Sequence, residues 1–318
     1  MPTENQHWVP KFLIKQFVDV DGRVFRLDIR TDEVTKPPPK YSASEIGFNE
    51  FEVDGELVSF EDSLEKVETK AAPILKRFIK ARSLASITET ERKRVADFMA
   101  AQSFRTEAFY KGLGHRPSRK EFGPVFTQLW RSAFITAHEI ASRHWALMVI
   151  ESDEAFYLGD NPVVLQRTEN PKDGSNLGFD VEGVEAFMPL SPKCALYMPC
   201  RSISSQIIGG YNSALAMHSL VHSAALRGIS GGANELNLAQ HVIRQSHPLH
   251  LALTTGAPLT ATSANVQNLN YLQCSWAHAA IYSNDREFAF ARQVFRENPQ
   301  YRTTPNTMLV ELGMPQQR

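Results

Sequence analysis

At residue 59 the spacing of apolar residues changes from two to between three and four, and that switch limits the architectures open to this chain. Before it, Phe25, Leu27 and Ile29 alternate with Val24, Arg26, Asp28 and Arg30 behind an Asp21-Gly22 turn, the period of a half-buried strand. "FNEFEVDGELVSF" repeats the strand–Asp-Gly–strand pattern, and "KPPPKYSASEIGF" between the two is a loop stiffened by three prolines. From residue 59 on, Leu64, Val67, Ala71, Ile74, Leu75, Phe78 and Ile79 fall at helical spacing to about Arg82, with Pro73 as a kink. A second helix opens on the capping box of Thr88 and Glu91 and closes at Gly112 or Gly114. A third starts near "RPSRKEF" and runs past Trp130 to about His144.

Strands return in "WALMVIES", "EAFYLGDNPVVL" and "AFMPLSPKCALYMPC". The last third mixes helices, "NSALAMHSLVHSAALRG" and "ANVQNLNYLQCSWAHAAIYS", with loops at "GISGGAN" and "TTGAPLT". The pattern predicts an α+β fold with N-terminal β-hairpins, a central helical bundle, and further short strands and helices in the C-terminal half. We read one domain over 1–290 (β-rich 1–58, helical 59–145, mixed 146–290) and a C-terminal tail over 291–318.

A net charge of -1 excludes a polybasic binder that works by charge alone, while leaving room for a local basic surface. No apolar run approaches the roughly 18 residues of a membrane span, and residues 1–17 carry no secretory pattern. The three cysteines show no CxxC spacing. If "CALYMPC" is a strand, Cys194 and Cys200 lie roughly 20 Å apart, too far for a disulfide. These features predict a reduced, cytoplasmic protein with no membrane contact, no bound metal and no cofactor. They say nothing of its oligomeric state.

Three segments place polar residues where a bland fold would have apolar ones. In "QHWVP", Pro10 holds Val9 extended and Phe12, Leu13 and Phe17 pin the segment, so His7 is either a general base or a packed histidine bonded to a carbonyl. In the helix after Thr88, Gln102 and Arg105 continue the stripe of Val95, Phe98 and Met99. A buried arginine meets a carboxylate or a phosphate, so this is an anion site or a brace between helices. In "GDNPVV", Asp160 and Asn161 sit at a strand end before Pro162, as site-builders or as an Asx-turn. Lys76, Arg77 and Lys80 interleave with Phe78 and Ile79, giving a helix whose basic side suits a phosphate backbone or simply solvent. The histidines of "HEIASRH" are six apart and fail as a metal pair; His218 and His222 share a helix face but lack a third ligand.

Taken in order, "QHWVPKFLIKQF", "SLEKVETKAAPIL", "FMAAQSFRT", "FYLGDNPVVL", "PLSPKCALYM" and "NLNYLQCSWAHAAIYS" resemble the domain of unknown function 4238 family, widespread in bacteria, over roughly residues 5–285. The family's opening of histidine, valine, proline and phenylalanine matches His7, Val9, Pro10 and Phe17. One departure is Gly159, where the family usually has serine or threonine. The resemblance implies one architecture for these segments and no activity.

Gathered around one cleft, His7, Arg105, Gln102, Asp160, Asn161 and Asn270 read as a metal-independent hydrolase of a phosphodiester or other phosphorylated substrate. A nuclease acting as a toxin or defence effector is one such enzyme. In this reading His7 is the acid/base, Asp160 orients it, Arg105 binds an anionic oxygen, and Gln102, Asn161 and Asn270 hold substrate. The competing readings are a binding module for a nucleotide, nucleic acid or protein, led by Lys76, Arg77 and Lys80, and a structural brace.

Overall fold

The computed structural model describes residues 5–53, 56–112, 119–168, 177–229 and 231–306. It is α+β, and the N-terminal part holds the expected short strands. β1 (Asn5–His7) leads through the four-residue α1 (Lys11–Ile14) to β2 (Phe25–Asp28) and β3 (Val34–Thr35). β4 (Ser44–Ile46) returns antiparallel to β1, and β5 (Glu50–Val53) pairs with β6 (Glu56–Ser59). The opening segment is held by Val9, Leu13, Ile14 and Phe17, all buried.

α2 (Glu61–Ala81), α3 (Glu89–Phe104), the short α4 (Glu107–Gly112) and α5 (Arg119–Ser142) form the helical middle. α3 begins on the capping box formed by Thr88 and Glu91. α2 and α5 both pack on α3. Pro73 sits inside α2 on its exposed side, and the helix continues past it.

The C-terminal half supplies two sheets. β7 (Ala146–Val149), β9 (Val164–Arg167), β10 (Val184–Ser191) and β11 (Cys194–Met198) are joined by β12 (Pro258–Thr260) in the order β12-β7-β11-β10-β9. β8 (Leu158–Gly159) and β13 (Ala280–Ser283) extend the first hairpin into a sheet ordered β3-β2-β13-β8. The first and last parts of the chain therefore share one sheet. Between the strands lie α6 (Arg201–Leu226), α7 (Ala233–Thr255) and α8 (Ser263–Trp276), and α9 (Ala289–Glu297) follows β13.

Six details differ from the sequence reading. The helix after Thr88 ends at Phe104 rather than at Gly112 or Gly114, because the backbone of Arg105 leaves helical geometry, and α4 is a separate helix. "KPPPKYSASEIGF" is not loop throughout, because Ser44–Ile46 pairs with the opening strand as β4. "AIYS" is the inner strand β13 rather than the end of a helix, because Ala277 caps α8 in an extended conformation and residues 280–283 are buried on every side. "APLT" is an edge strand parallel to β7 rather than a loop, with Pro258 at its first position, where no ladder donor is needed. α7 lacks the charged–apolar contrast that announces a surface helix and was not predicted. Residues 291–297, assigned to a tail, belong to α9, which buries Ala291, Val294 and Phe295 against Leu27, Ile29 and Ile281. All three cysteines are buried and free.

Candidate functional site

The last turn of α3 carries the stripe of Val95, Phe98 and Met99 on into Gln102 and Arg105, so the helix delivers an amide and a guanidinium to the interior. Arg105 is 3% exposed. Its Nη1 donates to Glu68 Oε1 at 2.6 Å and its Nε to Gln102 Oε1 at 2.9 Å. Gln102 Nε2 in turn donates to the Trp8 carbonyl at 2.7 Å, tying α3 to the opening strand. Arg105 Nη2 is buried without a partner among the described residues.

His7 lies opposite Ser44 in the β1–β4 pair, and its Nε2 is 3.4 Å from the Pro39 carbonyl. A carbonyl only accepts, so this contact places the proton on Nε2 and leaves the lone pair on Nδ1. Burial lowers the pKa of His7 below 6.5; the Pro39 contact and the Glu68 carboxylate oppose that, and Lys11 and Arg105 add to it. The imidazole is held towards its neutral form. The carboxylate that acts on it is Glu68, one helix over, and not Asp160. Glu61, two turns earlier on α2, accepts from Asn49 Nδ2 at 2.7 Å. Burial raises the pKa of Glu61 above 4.5, against the pull of Arg105.

Residues 105–107, where α3 gives way to α4, form a hub. Arg105 reaches α2, while Thr106 Oγ1 donates to Asn161 Oδ1 at 3.2 Å and Asn161 Nδ2 donates to the Trp276 carbonyl at 3.3 Å. Glu107 Oε1 is 3.6 Å from His278 Nε2, and Arg30 Nη2 is 2.8 Å from the same nitrogen. Asp160 accepts from the backbone N–H groups of His278 and Ala279, both at 2.7 Å, and of Ala280 at 3.2 Å. Burial raises its pKa against the pull of those three donors.

Asn270 accepts from Tyr157 N at 2.8 Å and donates to the Ala155 carbonyl at 2.9 Å. Asp160, Asn161 and Asn270 are therefore engaged in holding the strand-end loop against α8 and β13, and none of the three turns a polar group towards His7. Gly159 belongs to the same contact: a Cβ there would lie 3.0 Å from the Gln273 carbonyl oxygen and 3.1 Å from its side-chain oxygen. The glycine lets α8 approach, and the Gly159 N–H donates to Gln273 Oε1 at 2.7 Å.

Lys76, Arg77 and Lys80 lie outside this cluster. Lys76 is eight residues beyond Glu68, about 12 Å along α2. Arg77 is paired through both nitrogens with Glu91 at 2.7 and 2.8 Å, leaving exposed Lys76 and Lys80 as the basic surface. His218 and His222 stack in parallel with ring centres 6.3 Å apart. Among the described residues no group of three or more histidines, cysteines or carboxylates is placed to hold a metal ion.

The structure thus brings His7, Gln102 and Arg105 together and adds Glu68, Glu61, Asn49 and Trp8. Glu68 was legible: it occupies the core stripe of α2 between Leu64 and Ala71, the same anomaly that marks Arg105. Asn49 and Trp8 have no such pattern around them. Among these residues Trp8 Nε1 and Asn49 Oδ1, like Arg105 Nη2, are buried without a partner among the described residues. Beside them a cleft of about 280 Å³ is lined by Trp8, Arg26, Tyr41, Ser44, Asp160 and Tyr282, among others. Trp8 is common to the cleft and the cluster.

No curated protein and no solved structure matches this chain. A family model described as "Protein of unknown function (DUF4238)" matches residues 5–125 and 128–287, so it spans the opening strand, the hub and the α8–β13 turn alike. The chain belongs to that family.

Proposed function

We propose that this protein is a hydrolase of a phosphorylated substrate, a phosphodiester foremost, with its acid–base centre at His7, Glu68 and Arg105. The observation that carries the reading is Arg105 Nη2, a buried, positively charged donor with no acceptor among the described residues, within electrostatic reach of an imidazole held towards its neutral form. A guanidinium arm left open in this way suits a phosphoryl oxygen. In the reaction, His7 Nδ1 takes a proton from an attacking water as its oxygen bonds to phosphorus. The ester oxygen leaves with the bonding pair and is protonated from the imidazolium. Arg105 Nη2 donates to a non-bridging oxygen, where charge develops in the transition state. Glu68 holds Arg105 in place and stabilises the imidazolium electrostatically.

The neighbouring cleft supports a substrate with a flat ring, because Trp8, Tyr41 and Tyr282 line it together with the Arg26 guanidinium. A nuclease or nucleotide hydrolase working in the cytoplasm as a toxin or defence effector is the specific form we propose. Expression of wild type, His7→Ala and Arg105→Lys from a tightly controlled promoter tests it, with growth and the integrity of RNA and DNA followed together. The purified proteins are then melted and assayed on nucleotides and oligonucleotides. Arrest and degradation by wild type alone, at matched melting temperatures, is the expected result. Intact nucleic acid and no turnover of any phosphoester, with both variants melting well below wild type, would reduce the cluster to a brace. Nucleotide binding without turnover would make it a recognition site.

A further inference from the structure

Trp276 closes α8 and is 2% exposed, yet its indole Nε1 has no acceptor among the described residues. An indole N–H can only donate, and a buried donor left without its bond is the destabilising case. Trp145 is buried to the same degree, and its Nε1 donates to the Ile140 carbonyl at 2.9 Å. Trp276 is also one wall of a small cavity between α8, the end of α3 and the segment that follows β8. Phe109, Val163 and Leu165 are among its apolar walls and Ser103 and Asn161 are polar ones; every described residue around it is buried. Its volume of about 10 Å³ just admits one water molecule and nothing larger.

The two other polar walls have bonding capacity to spare, and it is of one kind. Ser103 Oγ donates its single hydrogen to the Met99 carbonyl at 2.9 Å, so what it has left to offer is lone pairs. Asn161 is oriented by its Nδ2, which donates to the Trp276 carbonyl at 3.3 Å, because a carbonyl only accepts. Its Oδ1 accepts from Thr106 Oγ1 at 3.2 Å and keeps a second lone pair. One donor without its bond and two acceptors with room for another therefore line a water-sized space.

We propose that this cavity is a binding site for one structural water, which accepts from Trp276 Nε1 and donates to Ser103 Oγ and Asn161 Oδ1. Three bonds are the usual complement of a buried water, and a cavity with polar walls fills where an apolar one stays dry. A bare cation would face the indole hydrogen, and an organic group exceeds the volume. The water joins α3, the strand-end loop and α8 beside the hub, where Asn161 already bonds both Thr106 and the Trp276 backbone. It ties those segments a second time, through side chains, and satisfies the buried indole. This site stands whether or not the cluster around His7 turns over a substrate.

Two measurements on the full chain test this. A crystal structure at a resolution that shows ordered solvent should hold one fully occupied water about 2.7–3.2 Å from Trp276 Nε1 and within bonding distance of Ser103 Oγ and Asn161 Oδ1. In solution, water-selective NOE and ROE spectra should give cross-peaks of opposite sign at the Trp276 indole hydrogen, the mark of a held water and not of exchange. The Trp145 indole, bonded to a carbonyl, should be silent. The Trp276 peaks should persist in Ser103→Ala, which removes a hydroxyl hydrogen able to imitate the water. An empty cavity, a protein acceptor on Trp276 Nε1, cross-peaks with the sign of exchange, an equal response at Trp145, or loss of the peaks in Ser103→Ala would overturn the proposal.

Discussion

A guanidinium as deeply buried as Arg105 is stable only where its donors meet acceptors, and one of its arms meets none among the described residues. The Glu68 partner makes it tolerable, since removing one member of a buried pair costs about 3–5 kcal/mol. The open arm is the feature that a purely structural brace does not need. Glu68→Gln keeps an acceptor for Nη1 while removing the charge, so it should lower turnover by more than tenfold and stability only modestly, read by kinetics and melting together. His7 gives a pH signature. Its folded pKa is lowered, so the stability it contributes is present above about pH 6.5 and is lost as the pH falls through the folded value. Wild type should lose stability below pH 6.5 more steeply than His7→Asn; His144, lowered by burial too, is common to both proteins and cancels in the difference. Glu61 has the opposite sign. Its raised pKa means the ionised form is a cost at neutral pH, so Glu61→Gln should raise the melting temperature at pH 7, with the gain vanishing below pH 4.5.

At the scale of elements, what was legible follows from periodicity. α2, α3 and α5 announce themselves by apolar stripes and a capping box, and the first hairpins by Asp-Gly turns between alternating runs. What was not legible depends on partners far away in sequence. β13 is a strand because β2 and β8 flank it, and nothing within "AIYS" distinguishes it from the end of α8. The same reason hid the roles of Asp160, Asn161 and Asn270: a polar residue before a proline looks alike whether it meets substrate or a backbone N–H more than a hundred residues away. Gly159 and Gly256 mark close approaches that no local pattern predicts. Gly256 has φ +74°, and a Cβ there would lie 2.6 Å from the Leu84 carbonyl carbon. Gly256→Ala should destabilise by about 2–4 kcal/mol, combining left-handed strain with overpacking, measured by urea unfolding. Gly159→Ala should cost less, about 1–3 kcal/mol, by the same measurement.

Across the whole molecule, segments that are distant in the chain converge on residues 105–107. The opening strand arrives through Trp8 and His7, α2 through Glu68, the strand-end loop through Asn161, and the α8–β13 turn through His278. The sheet that joins β2 to β13 fixes these arrivals relative to one another, and α9 closes its apolar side. Truncation after Glu287 removes Phe288, Ala291, Val294 and Phe295 from that core, and should abolish cooperative unfolding although the segment lies remote from the site. The resemblance read from six motifs placed them in one architecture; the fold adds that five of them, all but "PLSPKCALYM", send residues to one hub. The most direct test is a histidine-selective NMR titration of wild type and Arg105→Lys, with His7 assigned from His7→Ala and a short phosphodiester oligonucleotide as the probe. The account predicts a wild-type His7 resonance that titrates below pH 6.5 and shifts saturably on adding the oligonucleotide, with the response lost or strongly weakened in Arg105→Lys. A His7 resonance indifferent to the oligonucleotide in the wild type would contradict it.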